Sequence, residues 1–211
     1  ELYDNAKLLQ KSKISAYKFG SQFISFDAPK VMGILNVTPD SFSDGGKYFS
    51  ENSAVDYALN MIDDGADIID IGGESTRPGS NPVSLEDELQ RTIPVIKRLV
   101  EIKKSLVISI DTTKREVARQ ALDSGATIVN DISGLTSDEK MIDVVKSYNA
   151  GIIIMHIKGN PKTMQENPNY IDVVNEVKDF LFQQSYKAKQ NGIDKIIIDP
   201  GIGFGKRVED N

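Results

Sequence analysis

Polar and charged residues recur in this chain at the carboxyl ends of short apolar runs, and their types together could bind a flat ring and an anion. Residues 31–35 run into Asn36, 67–71 into Gly72-Gly73-Glu74-Ser75-Thr76-Arg77, and 106–110 into Asp111. Residues 127–129 run into Asn130-Asp131, 152–155 into His156, and 195–198 into Asp199-Pro200-Gly201. A carboxylate in such a place can serve as general base, metal ligand or acceptor for N–H donors. An asparagine beside it adds a donor and an acceptor on one side chain. Asp111, Asn130 and Asp199 therefore suit a flat heterocycle of alternating donors and acceptors, such as a 2-amino-4-oxo-pyrimidine ring. The competing reading is that each caps the helix that follows. Asp111 stands two residues before Thr113, the better cap, and Asp131 can be simply structural. Arg77 can grip a phosphate or carboxylate at two points, although a surface ion pair is the commoner fate of an arginine.

Two loops extend this chemistry. Asn36-Val37-Thr38-Pro39-Asp40-Ser41-Phe42-Ser43-Asp44-Gly45-Gly46 is long, polar and glycine-rich, as a lid would be. A surface excursion with Asx turns explains it equally well. Asp199-Pro200-Gly201-Ile202-Gly203-Phe204-Gly205-Lys206 looks like a phosphate loop, but Pro200 and Arg207 stand where a Walker motif needs Gly and Ser or Thr. It reads as a glycine loop that lets a ligand approach the backbone, with Phe204 as an apolar wall. His156 is the sole histidine and is read as structural, whereas Met155 is suited to pack against a ring.

The elements that carry these groups follow from the same runs. Short, continuous, β-branched stretches are the pattern of parallel strands buried on both faces. Functional groups at the carboxyl ends of such strands are how a (β/α) barrel builds its site. Helical patterns lie between: one opens at Ser53 and ends at Gly65, and Ser84 opens a longer one that Pro94 can kink. Thr113 with Glu116 and Thr136 with Glu139 read as capping boxes for two more, and a last helix spans about residues 171–191 before Gly192. Residues 16–26 alternate weakly and are expected to form a short antiparallel hairpin. The predicted fold is α/β, a TIM-type (β/α)8 barrel with about six β/α units present, as one domain over residues 1–211. Residues 1–29 would be the hairpin segment and 30–211 the first six units, with the last two missing. The lack of Met at Glu1 leads us to expect a natural start upstream.

Composition narrows the function. A hydrophobic content of 39% and charged content of 27% are those of a globular domain, and the net charge of −6 argues against a nucleic-acid surface. No run is long enough to span a bilayer. With no cysteine, disulfide and thiolate chemistry are excluded, which fits a cytoplasmic protein; with one histidine, a His-rich metal site is excluded as well.

Six segments in order resemble the dihydropteroate synthase family, the pterin-binding enzymes of folate biosynthesis. They are residues 33–46 (GILNVTPDSFSDGG), 72–79 (GGESTRPG), 109–112 (SIDT), 129–132 (VNDI), Met155-His156 and 199–206 (DPGIGFGK). The resemblance implies condensation of 6-hydroxymethyl-7,8-dihydropterin diphosphate with 4-aminobenzoate to 7,8-dihydropteroate and diphosphate. It implies that Asp111, Asn130 and Asp199 hydrogen-bond the pterin, with Ile132 and Met155 packed on its ring. It further implies Mg2+ at Asn36, Thr76 and Arg77 near diphosphate and aminobenzoate, Pro39, Asp40 and Phe42 in the first loop, and Phe204 in the aminobenzoate pocket. Catalytic roles fall by the same carry-over on Asp111, Asp199, Asp40 and Arg77. The implied partners are small-molecule substrates, neither nucleic acid nor membrane, with a homodimeric parent. The family's lysine after the seventh strand and Arg-x-His after the eighth have no counterpart among these residues. Two alternatives stand beside this reading: a corrinoid-linked methyltetrahydrofolate methyltransferase, whose pterin domain is similar, and a non-catalytic pterin-binding module. Residues 38–42 and 75–79 favour the synthase.

Overall fold

Five apolar residues in a row cannot all face one side of a strand, so the β-branched runs demand apolar layers on both faces. The computed structural model, which describes residues 16–38, 47–77 and 79–211, supplies them. A hairpin of β1 (Ala16–Phe19) and β2 (Gln22–Ser25) precedes an alternating series. The series runs β3 (Met32–Asn36), α1 (Lys47–Asp63), β4 (Ile68–Gly72), α2 (Leu85–Ile102), β5 (Val107–Asp111) and α3 (Arg115–Asp123). It continues with β6 (Ile128–Asp131), α4 (Met141–Ser147), β7 (Gly151–Met155), α5 (Val173–Gln190), β8 (Ile196–Asp199) and a 3-10 turn (Val208–Asp210). The six strands β3 to β8 are parallel and hydrogen-bonded in sequence order, the wall of a (β/α) barrel.

Side chains divide by alternation. Leu35, Ile69, Ile71, Ile108, Ile110, Val129, Ile152 and Ile154 point outward into one core with the buried stripes of the helices, such as Ile96 and Leu99 of α2 and Val117 and Ala121 of α3. Ile68, Val107, Ile128 and Ile153 point inward and pack with Phe19 and Ile24 of the hairpin, which closes the amino-terminal end of the barrel. The Tyr17 hydroxyl donates to the Ile196 carbonyl at 3.1 Å and ties the hairpin to β8. An apolar groove of about 680 Å³ lies outside the wall between α5 and β8, lined by Val177, Leu181, Ile196 and Ile198 among others. No helix among the described residues is long and apolar enough to cross a membrane.

The hairpin, the α2 cap and the last helix match the sequence expectation. Ser84 Oγ accepts from the Asp87 amide at 3.1 Å, and Pro94 sits inside α2. Three local expectations fail. Helix α1 begins at Lys47, so Ser53 is interior rather than its start. At α3 the cap is Lys114 with no side-chain bond; Thr112 Oγ1, not Thr113, takes the Lys114 amide. At α4 the cap is Lys140, while the Thr136 hydroxyl donates instead to the Ser133 carbonyl. At α4 a nearby carbonyl takes the hydroxyl before the helix starts.

The loop after β8 departs from the expected open glycine loop as well. Gly201 has φ 66° and a Cβ there would sit 2.0 Å from the His156 carbonyl oxygen; at Gly205, with φ 63°, it would sit 2.3 Å from the Lys158 carbonyl oxygen. These glycines let two protein loops touch, and only Gly203 faces open space. Gly201→Ala should therefore destabilise the full chain by about 2–4 kcal/mol, because it adds both φ strain and a backbone clash. Gly203→Ala keeps the strain without the clash and should lower stability by about 1–2 kcal/mol. Urea titration of both variants measures the difference, and equal losses would contradict the packing account.

Candidate functional site

Parallel pairing in register places four strand-end positions side by side. Asn36 of β3 pairs with Gly72 of β4, Gly72 with Asp111 of β5, and Asp111 with Asn130 of β6. All lie on the inward face, where Met155 of β7 pairs with Asp199 of β8. The row has room because Gly72 lacks a side chain: a Cβ there would lie 3.3 Å from Asp111 Oδ2 and 3.8 Å from Asn36 Oδ1. Asp111, Asn130, Met155 and Asp199 are thus gathered at one barrel mouth, with Asn36 across the gap left by Gly72. Ile132, just past β6, is buried beside them in sequence.

The floor is acidic. The carboxyl of Asp111 is pushed well up from its ordinary value, first by burial and then by the charges of Asp70, Glu88, Asp131 and Glu74. Its carboxylate makes no hydrogen bond or ion pair with another described residue, so it is free to take a donor from a ligand. Asp70, one layer deeper on β4, is also raised by burial, and Asn130 and Ser109 oppose that shift. Asn130 Nδ2 donates to Asp70 Oδ2 at 2.9 Å. Ser109 is paired with Asp70 in register, yet neither its hydroxyl nor Asp70 Oδ1 has a partner of acceptable hydrogen-bond geometry. Asp131 serves its own loop: it accepts from the Ser133 amide at 2.9 Å, the Ser133 hydroxyl at 2.6 Å and the Leu135 amide at 3.1 Å. Asp199 is shared between uses, since Oδ1 accepts from the Gly201 amide at 2.7 Å.

The other predicted residues lie at the rim. Thr76 is half-buried and Arg77 exposed, on a loop whose Gly79 amide donates to the Pro161 carbonyl at 3.2 Å. The Arg77 guanidinium forms no ion pair among the described residues. Phe204 is half-buried in the loop after β8. Pro39, Asp40 and Phe42 lie outside the described residues.

Sequence reasoning missed two supports. Lys114 Nζ bridges Glu74 and the fully buried Glu88, at 2.5 Å each, and the Arg91 guanidinium donates to the Gly73 carbonyl at 2.8 Å. The loop carrying Thr76 and Arg77 is thereby fixed at its start. Lys206 is buried, with Nζ 3.0 Å from His156 Nδ1 and donating to the carbonyls of Gly201 at 2.8 Å and Phe204 at 3.1 Å. Its ammonium is pushed down to about 8 by burial, against the pull of Asp199 and Asp210. His156, wedged against Tyr170 and Phe180, is held down to about 4 by burial and then by the Lys206 charge. The ring is therefore neutral at neutral pH, and Nδ1 accepts. The structural reading of His156 stands. The partners of Lys206 are a ring 50 residues away and backbone carbonyls, for which its sequence neighbours gave no signal.

Among known proteins, the pterin-binding enzyme family matches residues 32–211. The dihydropteroate synthase of Synechocystis sp. is 52% identical over 183 residues, which are 86% of this chain and 63% of that protein. The Escherichia coli dihydropteroate synthase is 49% identical over 185 residues, 87% of this chain and 65% of the relative. The chain thus spans a little under two thirds of these curated relatives. Xanthomonas albilineans dihydropteroate synthase with 4-aminobenzoic acid superposes with a TM-score of 0.86 at 44% identity, over 93% of this chain and 70% of that one. The same enzyme in complex with 7,8-dihydropteroate gives 0.81 at 41% identity, over 93% and 69%.

The His156–Lys206 pair sets a pH dependence. The folded ring titrates near 4 and an unfolded one near the ordinary 6.5, so the unfolded chain takes up the proton first as pH falls. The contribution of this group is fully present above about pH 6.5 and is lost on the way to about pH 4, a loss of about 2 kcal/mol after allowance for solvent screening. In urea titrations across that window, His156→Gln should show a shallower decline than the parent. Parallel declines would reject the assignment.

Proposed function

Because the chain belongs to the pterin-binding enzyme family, we propose that it carries the pterin site of a dihydropteroate synthase, which joins 6-hydroxymethyl-7,8-dihydropterin diphosphate to 4-aminobenzoate and releases diphosphate. The observation that carries the reading is the inward row Asn36–Gly72–Asp111–Asn130, with Met155 and Asp199 at the same mouth. Relatives named for this activity, one of them solved with 7,8-dihydropteroate, support it.

In this reading Asp111 and Asp199 accept N–H groups of the pterin, Asn130 fixes its edge, and Met155 and Ile132 pack on the ring. Departure of diphosphate leaves positive charge on the methylene carbon, which the ring delocalises. An acidic floor under that ring stabilises the charge as it develops and needs no rearrangement to do so. The same floor repels an anion, so the diphosphate lies toward the rim, where Thr76 and Arg77 can hold it. The amine of 4-aminobenzoate attacks the methylene carbon, with Phe204 flanking its ring. Pro39, Asp40 and Phe42 are proposed to cover the reacting groups and exclude water.

The described residues contain no cluster of three or more acidic or histidine side chains suited to a metal. That is compatible with Mg2+ carried mainly by phosphate oxygens and water, which needs only one or two protein oxygens. Asn36 Oδ1 offers one at the edge of the row. When bound, Mg2+ would neutralise charge on the leaving diphosphate. Homodimeric assembly and a cytoplasmic location belong to the same proposal and rest on the family alone.

Asp111 separates binding from folding. Asp111→Asn removes a carboxylate whose neighbours are also carboxylates, so stability at neutral pH should hold or rise by about 1 kcal/mol. Affinity for 6-hydroxymethyl-7,8-dihydropterin diphosphate should fall by about 10- to 100-fold, the difference between a charge-assisted and a neutral hydrogen bond. Calorimetry and thermal unfolding on the same preparation test both signs; an unchanged affinity rejects the pterin site.

A further inference from the structure

Asp70 stands in the middle of β4, faces inward, and is 2% exposed. The inward positions around and below it are apolar apart from Ser109: Ile68 and Val107 lie one step down, Ile128 follows Ser109 in its own row, and Ile153 pairs with Asn130. A carboxylate there opposes stability by several kcal/mol unless its partners compensate. Among the described residues Asp70 has no cationic partner. Its Oδ2 takes an N–H of Asn130 at 2.9 Å, and its Oδ1 has none. Asn130 sits in the floor row beside Asp111. Its own Oδ1 is buried and is satisfied by no group among the described residues.

An asparagine amide has two ends of nearly the same shape, and a half-turn about its last torsion exchanges donor for acceptor. A carboxylate beneath it removes that freedom, because a carbonyl oxygen turned toward Asp70 would face a second acceptor with no proton between them. We infer that Asp70 is a positioning residue: it holds the Asn130 amide from below and so decides which end is left for the ring above. This rests on the pterin reading of the floor but does not follow from it, since Asp70 need touch no ligand. The buried acid is then kept for orientation, as its lack of a counter-ion suggests.

Four variants of the full chain test this: Asp70→Leu, Asp70→Asn, Asn130→Ala, and Asp70→Leu with Asn130→Ala. With 6-hydroxymethyl-7,8-dihydropterin diphosphate as the probe, Asp70→Leu should weaken binding at least about tenfold, whereas Asp70→Asn, which keeps a carbonyl acceptor but adds an N–H that lets the Asn130 amide turn either way, should cost an intermediate loss of about two- to fivefold. In the Asn130→Ala background, Asp70→Leu should add nothing further, because a residue acting through another loses its effect when that partner is gone. Losses that multiply in the double variant, or an Asp70→Asn variant as tight as the parent, overturn the inference. A ligand-free readout separates it from the functional reading. The side-chain amide resonances of Asn130 should form one set in the parent and be shifted or doubled in Asp70→Leu and Asp70→Asn. Unmoved resonances in Asp70→Leu overturn the inference even if the protein binds pterin, and shifted ones support it even if the parent binds none.

Discussion

Gathering carboxylates inside a barrel mouth without an equal number of cations is the constraint around which this molecule is built. Asp70, Asp111, Asp131, Glu74 and Glu88 crowd one end of the wall, and each raises the energy of charging Asp111 or surrounds it. The chain meets this by giving nearly every acid its own partner. Lys114 takes Glu74 and Glu88, Asp131 is wrapped by Ser133 and Leu135, and Asp70 takes the Asn130 amide. Among the described residues, Asp111 alone of these is left without one. An acid that is expensive to charge and has no protein donor is where a cationic or N–H-rich ligand gains most, since its arrival relieves repulsion as well as forming a bond.

Parallel register translates that chemistry into geometry. Side chains of period two put Asn36, Asp111 and Asn130 on the inner face, while the residues between them build the outer core with the helices. A slip of one residue in any strand would exchange the two sets, so the apolar packing that stabilises the wall also fixes the site. Gly72 completes the row by leaving a gap between Asn36 and Asp111 where any other residue would fill it.

Strand ends were readable in the sequence because continuous β-branched runs have few other uses, and Asp111, Asn130 and Asp199 mark where those runs stop. The N-caps of α3 and α4 were misread because capping-box spacing alone cannot tell a hydroxyl that caps a helix from one that bonds a nearer carbonyl, as Thr136 does. Asp70 was hidden for the opposite reason. It lies within an apolar run rather than after it, and only the register reveals that it points inward beside Asn130. The long reach of Lys114 to Glu74 and of Lys206 to His156 spans 40 and 50 residues, beyond any local pattern.

The loops after β7 and β8 meet through bare backbone at Gly201 and Gly205 and are stitched by the Lys206 ammonium to the carbonyls of one and the ring of the other. Lifting either loop therefore breaks the contacts of both. Their amides should share a single opening event in hydrogen exchange, and Phe204, carried on that joint body, presents a fixed wall rather than an adaptable one.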